Sequence, residues 1–126
     1  LQAELGLAYL FITHNLAVVD YLAHAIDVMY LGRIVESGPA AEVLRAPRHP
    51  YTQALGAAIP RIDTAAPARP RLAGDQPSPL DPPAGCHFHP RCPHAGDICR
   101  RTYPDETHLD GGRSVRCHWV AGLTDA

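Results

Sequence analysis

Long apolar runs fall almost entirely within residues 1–60, and the rest of the chain is rich in proline and cysteine instead. Leu1 to Leu5 reads as the end of a helix, with Gly6 as its terminator. Ala8 to Thr13 is a short unbroken apolar run, the pattern of a strand buried on both faces in a parallel sheet. Asn15 is a cap for a helix over Leu16 to Ala25 that covers the sheet. Asp27 to Tyr30 and Arg33 to Ser37 read as two strands joined tightly at Leu31-Gly32, which predicts a hairpin. Gly38-Pro39 opens a short helix over Ala40 to Arg45, with Pro39 suited to the first helical position. Pro47 stops it, and Pro50 opens another helix running to about Ile59 and closed by Pro60.

Beyond this point the periodicity disappears. Pro60 to Gly85 holds seven prolines and no apolar repeat, so an extended, irregular stretch is expected. Leu72 and Leu80 offer apolar anchors, which favours a strap lying on the preceding domain over a free linker. Gly85 to Val120 carries all four cysteines and five of the eight histidines, with little sign of regular structure. It holds too little apolar material for its own core and needs a cross-link to stay compact. The expected organisation is a domain end over 1–60, a linker or strap over 61–85, a cysteine-rich segment over 86–120 and a tail over 121–126.

Composition narrows the function classes. The net charge of −2 gives no global attraction to nucleic acid or an anionic membrane. Within the cysteine-rich segment, Arg91, Arg100, Arg101, Arg113 and Arg116 are nearly balanced by Asp97, Asp105, Glu106 and Asp110, which argues against a nucleic-acid module. All eleven basic residues are arginine, so this chain holds no phosphate-loop lysine. No apolar run is long enough to span a bilayer. The amino terminus has neither the pattern of a signal peptide nor an initiator Met, and a truncated chain is expected.

Two sets of residues carry candidate chemistry. His14 follows the apolar run, where ligands bind beyond the carboxyl ends of strands in open α/β sheets. By itself, a histidine at such a place reads first as a hydrogen-bonded structural residue. Cys86, Cys92, Cys99 and Cys117 are separated by five, six and seventeen residues. Two disulfides suit a secreted domain, which the missing export signal disfavours. Four thiolates suit tetrahedral zinc, although close-spaced cysteine pairs are missing, and they equally suit an iron–sulfur cluster. The spacing does not choose between the metals. His87, His89, His94 and His118 lie beside the cysteines as outer hydrogen-bond partners or surface residues. Tyr30 and Tyr51 read as core or boundary aromatics, and Trp119 as packing for the end of the cysteine-rich segment.

Phe11-Ile12-Thr13-His14-Asn15-Leu16, a covering helix and then Asp27 to Gly38 resemble the switch-loop region of ABC ATPases. Pro47-Arg48-His49-Pro50-Tyr51-Thr52, with Ala54-Leu55, resembles the peptide-importer branch of that family. So does Pro77 to Cys86 continuing to Pro93, and the resemblance covers nearly the whole chain. It implies an α/β fold: the end of a nucleotide-binding domain, then a proline-rich strap and a small irregular cysteine-rich metal-binding segment. It also implies that His14 is a catalytic and nucleotide-binding residue, holding the γ-phosphate and attacking water of ATP, with Mg, in a longer parent. The phosphate loop, signature loop and catalytic carboxylates of the family pattern all precede residue 1, so this chain alone is expected to be inactive. On the same resemblance, Cys86, Cys92, Cys99 and Cys117 hold an iron–sulfur cluster, with zinc as the alternative. Implied partners are a second ATP-binding subunit, transmembrane permease subunits and, indirectly, a substrate-binding protein, at the cytoplasmic face of the membrane. An independent iron–sulfur or zinc module is the competing reading.

Overall fold

A four-residue helix, α1 (Gln2–Leu5), opens the computed structural model, which describes residues 2–58 and 74–124. Gly6 ends α1 with φ +62°, a conformation that costs glycine little. The apolar run expected as a buried strand, Ala8 to Thr13, forms neither strand nor core. Leu10 and Ile12 are 92% and 97% exposed. A two-sided strand exists only where neighbours take up its N–H and C=O groups, and none of the four described strands pairs with this run. Helix α2 follows (Leu16–Leu22), three residues shorter than expected, and Asn15 caps it as the sequence predicts. The Asn15 side-chain oxygen accepts from the Ala17 and Val18 N–H groups at 3.1 and 3.4 Å.

The hairpin forms where it is expected. Strands β1 (Ala25–Tyr30) and β2 (Arg33–Pro39) pair antiparallel, with an irregularity between Val28 and Met29. Leu31 and Gly32 both take positive φ, +43° and +76°, as the tight two-residue hairpin turn requires. Leucine is strained in that conformation by roughly 1 kcal/mol, offset by its side chain packing against the core. Helix α3 (Ala40–Arg45) follows, with Pro39 as its extended cap residue and not its first helical residue. Helix α4 (Pro50–Ala58) starts at Pro50 as expected. Its end near Ile59 and Pro60 falls outside the described residues.

The cysteine-rich part is more regular than its sequence suggests. A 3-10 turn (His89–Arg91), helix α5 (Asp97–Arg101) and strands β3 (Thr107–Leu109) and β4 (Arg113–Val115) follow in order. Strand β4 pairs with β2, opposing Val115 to Glu36 and Ser114 to Ser37, so the sheet runs β1-β2-β4-β3. The Arg116 N–H extends this ladder to the Val35 carbonyl at 2.9 Å. The core consists of Val28, Tyr30, Val35 and Val43 from the first part of the chain and Phe88 from the second. Phe88 stands edge-on to Tyr30 at 5.2 Å and lies 5.6 Å from Tyr51. Burying this side chain contributes on the order of 2–3 kcal/mol, so the segment with too little apolar material borrows the hairpin's core.

The expected strap finds no support in its described part. Leu80, one of its two proposed anchors, is 95% exposed. An isolated leucine amid prolines and polar residues has no neighbouring apolar surface to join. The other anchor, Leu72, lies outside the described residues.

Candidate functional site

His14 sits between the apolar run and α2, on the exposed side of the turn closed by the Asn15 N–H donating to Thr13 Oγ1 at 3.0 Å. The Asn15 cap fixes where α2 begins and therefore where His14 stands relative to it. The other candidate residues, all four cysteines, lie in the later part of the chain, Cys99 on α5 and Cys117 just after β4.

The best-built polar centre is one the sequence did not single out. Glu36, 1% exposed on β2, accepts from the Arg48 N–H at 2.9 Å, the His49 N–H at 2.9 Å and the Arg113 guanidinium at 2.8 Å. The same guanidinium donates to the Ala46 carbonyl. One carboxylate thus ties the turn between α3 and α4 to β4, across a sequence separation of 77 residues. Pairing with three donors offsets the large cost of burying a charge. Gly38 leaves room for this contact, since a Cβ there would come within 2.7 Å of Arg113 Cγ.

His49 completes the turn. Its Nδ1 accepts from the Tyr51 N–H at 3.1 Å and its carbonyl from the Gln53 N–H at 3.0 Å, so it caps α4 ahead of Pro50. The cap works only with a neutral ring, whose Nδ1 keeps its lone pair. Burial enforces that state by lowering the His49 pKa from 6.5 to about 4. Tyr30, His49 and Tyr51 form an aromatic box around Phe88, with His49 at 5.7 Å and the two tyrosines 4.7 Å apart. Nothing in the spacing of Glu36 or Arg113 advertises their roles, whereas the His49-Pro50-Tyr51 run does carry a cap signal in its proline.

All four cysteines are free thiols, Cys99 and Cys117 buried and Cys86 and Cys92 half-buried. The Cys86 N–H donates to the Cys99 carbonyl at 2.8 Å, which brings two of the three cysteine-bearing stretches side by side. Gly85 permits that approach: any Cβ there would collide with the Cys99 carbonyl oxygen and stand 2.8 Å from the Arg100 carbonyl carbon. Burial raises the Cys86 and Cys92 thiols to about 11 and also raises Cys117. Backbone N–H groups oppose this effect. Phe88 and His89 donate to the Cys86 sulfur, His94 to Cys92, and Val120 and Trp119 to Cys117. Such donors stabilise sulfur carrying negative charge, the form that ligates metals. In donor chemistry the four residues therefore fit a thiolate-bound group. Among the described residues, however, no group of three or more His, Cys, Asp and Glu side chains stands in an arrangement that could hold a metal ion.

The neighbouring histidines divide their tasks. His118, 5% exposed, has its Nε2 2.9 Å from the Thr102 carbonyl, and His89 Nδ1 is 2.9 Å from the Cys86 carbonyl. His94 stacks flat on Trp119, with centroids 3.9 Å apart. His87 meets Tyr103 edge-on at 5.4 Å, and its buried Nδ1 has no hydrogen-bond partner among the described residues. No helix among the described residues is long and apolar enough to cross a membrane.

The chain is similar in sequence to known proteins. It is 52% identical over 122 residues to a probable peptide ABC transporter ATP-binding protein of Sinorhizobium fredii, covering 94% of this chain and 34% of that protein. Against the di/tripeptide transport ATP-binding protein of Pseudomonas aeruginosa the identity is 49% over 120 residues, 94% of this chain and 36% of the relative. The dipeptide transport ATP-binding protein of Escherichia coli K12 gives 47% over 121 residues, 95% and 36%. The chain therefore spans about one third of the length of these curated relatives. The sequence profile of the family described as "Oligopeptide/dipeptide transporter, C-terminal region" matches residues 35–99, from the second hairpin strand through the aromatic box to Cys99. On that match the chain belongs to the oligopeptide/dipeptide transporter C-terminal region family.

Proposed function

We propose that this chain is part of the ATP-binding subunit of a peptide-importing ABC transporter, the subunit that couples ATP hydrolysis to uptake. The observation that carries the reading is near-50% identity to peptide-transport ATP-binding proteins along almost the entire chain. In the whole protein ATP with Mg is the substrate, bound mainly by residues preceding this chain. His14 contributes a hydrogen bond to the γ-phosphate and orients the attacking water. Phosphoryl transfer depends chiefly on positioning and charge stabilisation, so the loss of one aligned donor is costly. The partners are a second ATP-binding subunit and membrane-embedded permease subunits at the cytoplasmic face. The test is His14→Ala in the full-length protein, with steady-state hydrolysis and equilibrium ATP binding measured on one preparation. Turnover falls about a hundredfold while ATP affinity stays within about twofold of the parent. Unchanged hydrolysis would reduce His14 to a structural residue.

The cysteine-rich segment, on this reading, belongs to the same subunit and is not an independent module. Its β4 strand and Phe88 side chain complete the hairpin's sheet and core, which supports one folded unit. Cys86, Cys92, Cys99 and Cys117 are the proposed ligands of an iron–sulfur cluster, on the strength of their donor chemistry, four free thiols carried by one segment. When bound, such a group supplies a covalent cross-link among three stretches of chain. Iron and sulfide in comparable amounts after anaerobic purification support the cluster. Stoichiometric zinc without sulfide replaces it with a zinc site.

A further inference from the structure

Helix α2 meets the rest of the domain along one narrow face. Leu16, Val19 and Ala23 are half-buried, at the spacing of a single helical stripe, while Ala17, Val18, Asp20, Tyr21 and Leu22 are exposed. The two ends of this stripe are fixed differently. Just past its carboxyl end the His24 carbonyl accepts from the Ala40 N–H at 3.0 Å, which ties the helix to the start of α3. At its amino end Leu16 lines an apolar cavity with Val28 of β1, Val43 and Leu44 of α3, and Leu55 and Gly56 of α4. The space left between them is about 10 Å³, no more than one water needs, so the leucine has little room to shift.

His14 stands two positions before that leucine, and the chain around it is closely bonded. The Asn15 N–H donates to Thr13 Oγ1 at 3.0 Å, the Asn15 side-chain oxygen accepts from Ala17 and Val18, and the Asn15 carbonyl accepts from the Val19 N–H at 3.3 Å. These bonds are all local. They set the shape of the 13–19 segment but not its place in the domain. Thr13, His14 and Asn15 are exposed, so the first side chain after His14 that is seated against other elements is Leu16. Val43, Leu44, Leu55 and Gly56, which build most of that seat, lie within residues 35–99, the part matched by the oligopeptide/dipeptide transporter family.

We propose that Leu16 is a positioning residue for ATP hydrolysis: seated between β1, α3 and α4, it fixes the turn that carries His14. The peptide-transporter region thereby sets where the histidine meets the γ-phosphate. This inference rests on the role given to His14 above. Leu16 touches neither nucleotide nor attacking water and acts only through the histidine. A shift of the leucine carries the exposed imidazole with it, and a misplacement of about 1 Å costs up to roughly a hundredfold in rate.

The test is a double-mutant cycle in the full-length protein, with steady-state hydrolysis and equilibrium ATP binding measured on each variant. Leu16→Ala empties the seat and lowers kcat about tenfold, while ATP affinity stays within about twofold of the parent. Leu16→Met, which refills the seat with a side chain of similar volume, keeps kcat within about twofold of the parent. Leu55→Ala opens the same seat from α4 and gives the same split between kcat and affinity. In the His14→Ala background, Leu16→Ala lowers the residual turnover by less than about twofold, because no histidine is left to misplace. If Leu16→Ala does not fold, as judged by circular dichroism, Leu16→Val carries the same cycle. A loss as large in the His14→Ala background as in the parent, or a fall in ATP affinity parallel to turnover, overturns the proposal and leaves Leu16 a packing residue. Normal hydrolysis by His14→Ala itself removes the role of His14, and the positioning role goes with it.

Discussion

Replacing Glu36 is the sharpest probe of how the two parts of the chain are joined. The carboxylate is buried, with 0% side-chain exposure against 7% for Arg113, so solvent does little to screen or rescue either charge. Glu36→Ala removes one of the two acceptors of the buried guanidinium and leaves it the Ala46 carbonyl. Breaking a buried pair in this way costs about 3–5 kcal/mol. A small domain is stable by roughly 5–15 kcal/mol, so the variant is expected to lose much of its stability, and the β2–β4 junction first. The double variant Glu36→Leu/Arg113→Met separates two explanations. A simple ion pair replaced by apolar side chains is often neutral. Here the Arg48 and His49 N–H groups also lose their acceptor, at about 1–3 kcal/mol for each buried donor left unmade. The double variant should therefore remain destabilised by at least about 2 kcal/mol. Urea unfolding followed by the single Trp119 and by far-ultraviolet circular dichroism measures both variants against the parent. Wild-type stability in the double variant would refute the claim that Glu36 holds the 47–51 turn.

Two further perturbations follow from the same packing. The His49 contribution to stability is complete above its unfolded pKa of 6.5 and is lost as pH falls toward its folded value of about 4, because the unfolded chain takes up the proton first. The loss amounts to roughly 3 kcal/mol; His49→Asn, which keeps a capping oxygen, should flatten that part of the stability–pH curve, and an unchanged slope would show that His49 is not its source. Gly85→Ala places a Cβ against the Cys99 carbonyl at a backbone φ of +68°, and should destabilise the chain by about 1–3 kcal/mol. Thermal unfolding reads the effect, and a neutral substitution would mean that the 85–86 and 99–100 stretches do not abut in solution.

Local chemistry was legible from the sequence wherever a residue acts on its near neighbours. Asn15 announces the start of α2, Leu31-Gly32 the hairpin turn and Pro50 the start of α4. Each is a preference of a few adjacent residues, and each holds whatever the rest of the chain does. Four cysteines within 32 residues suggested a shared thiolate site, yet among the described residues no group of three or more His, Cys, Asp and Glu side chains is arranged to hold a metal ion.

Tertiary structure decided what depends on distant partners. Ala8 to Thr13 has the composition of a core strand yet stays exposed, since a strand needs a ladder that its own residues do not contain. Glu36 reads as a polar break in a strand and becomes a buried hub only when Arg113 and the 48–49 backbone converge on it. Phe88, alone among cysteines and histidines, gives no sign of a core until the hairpin, Val43 and the His49-Tyr51 turn form the space that it fills. Periodicity records which face of an element is apolar. It carries no information about which distant face will cover it, and the join between the two parts of this chain lies in that pairing.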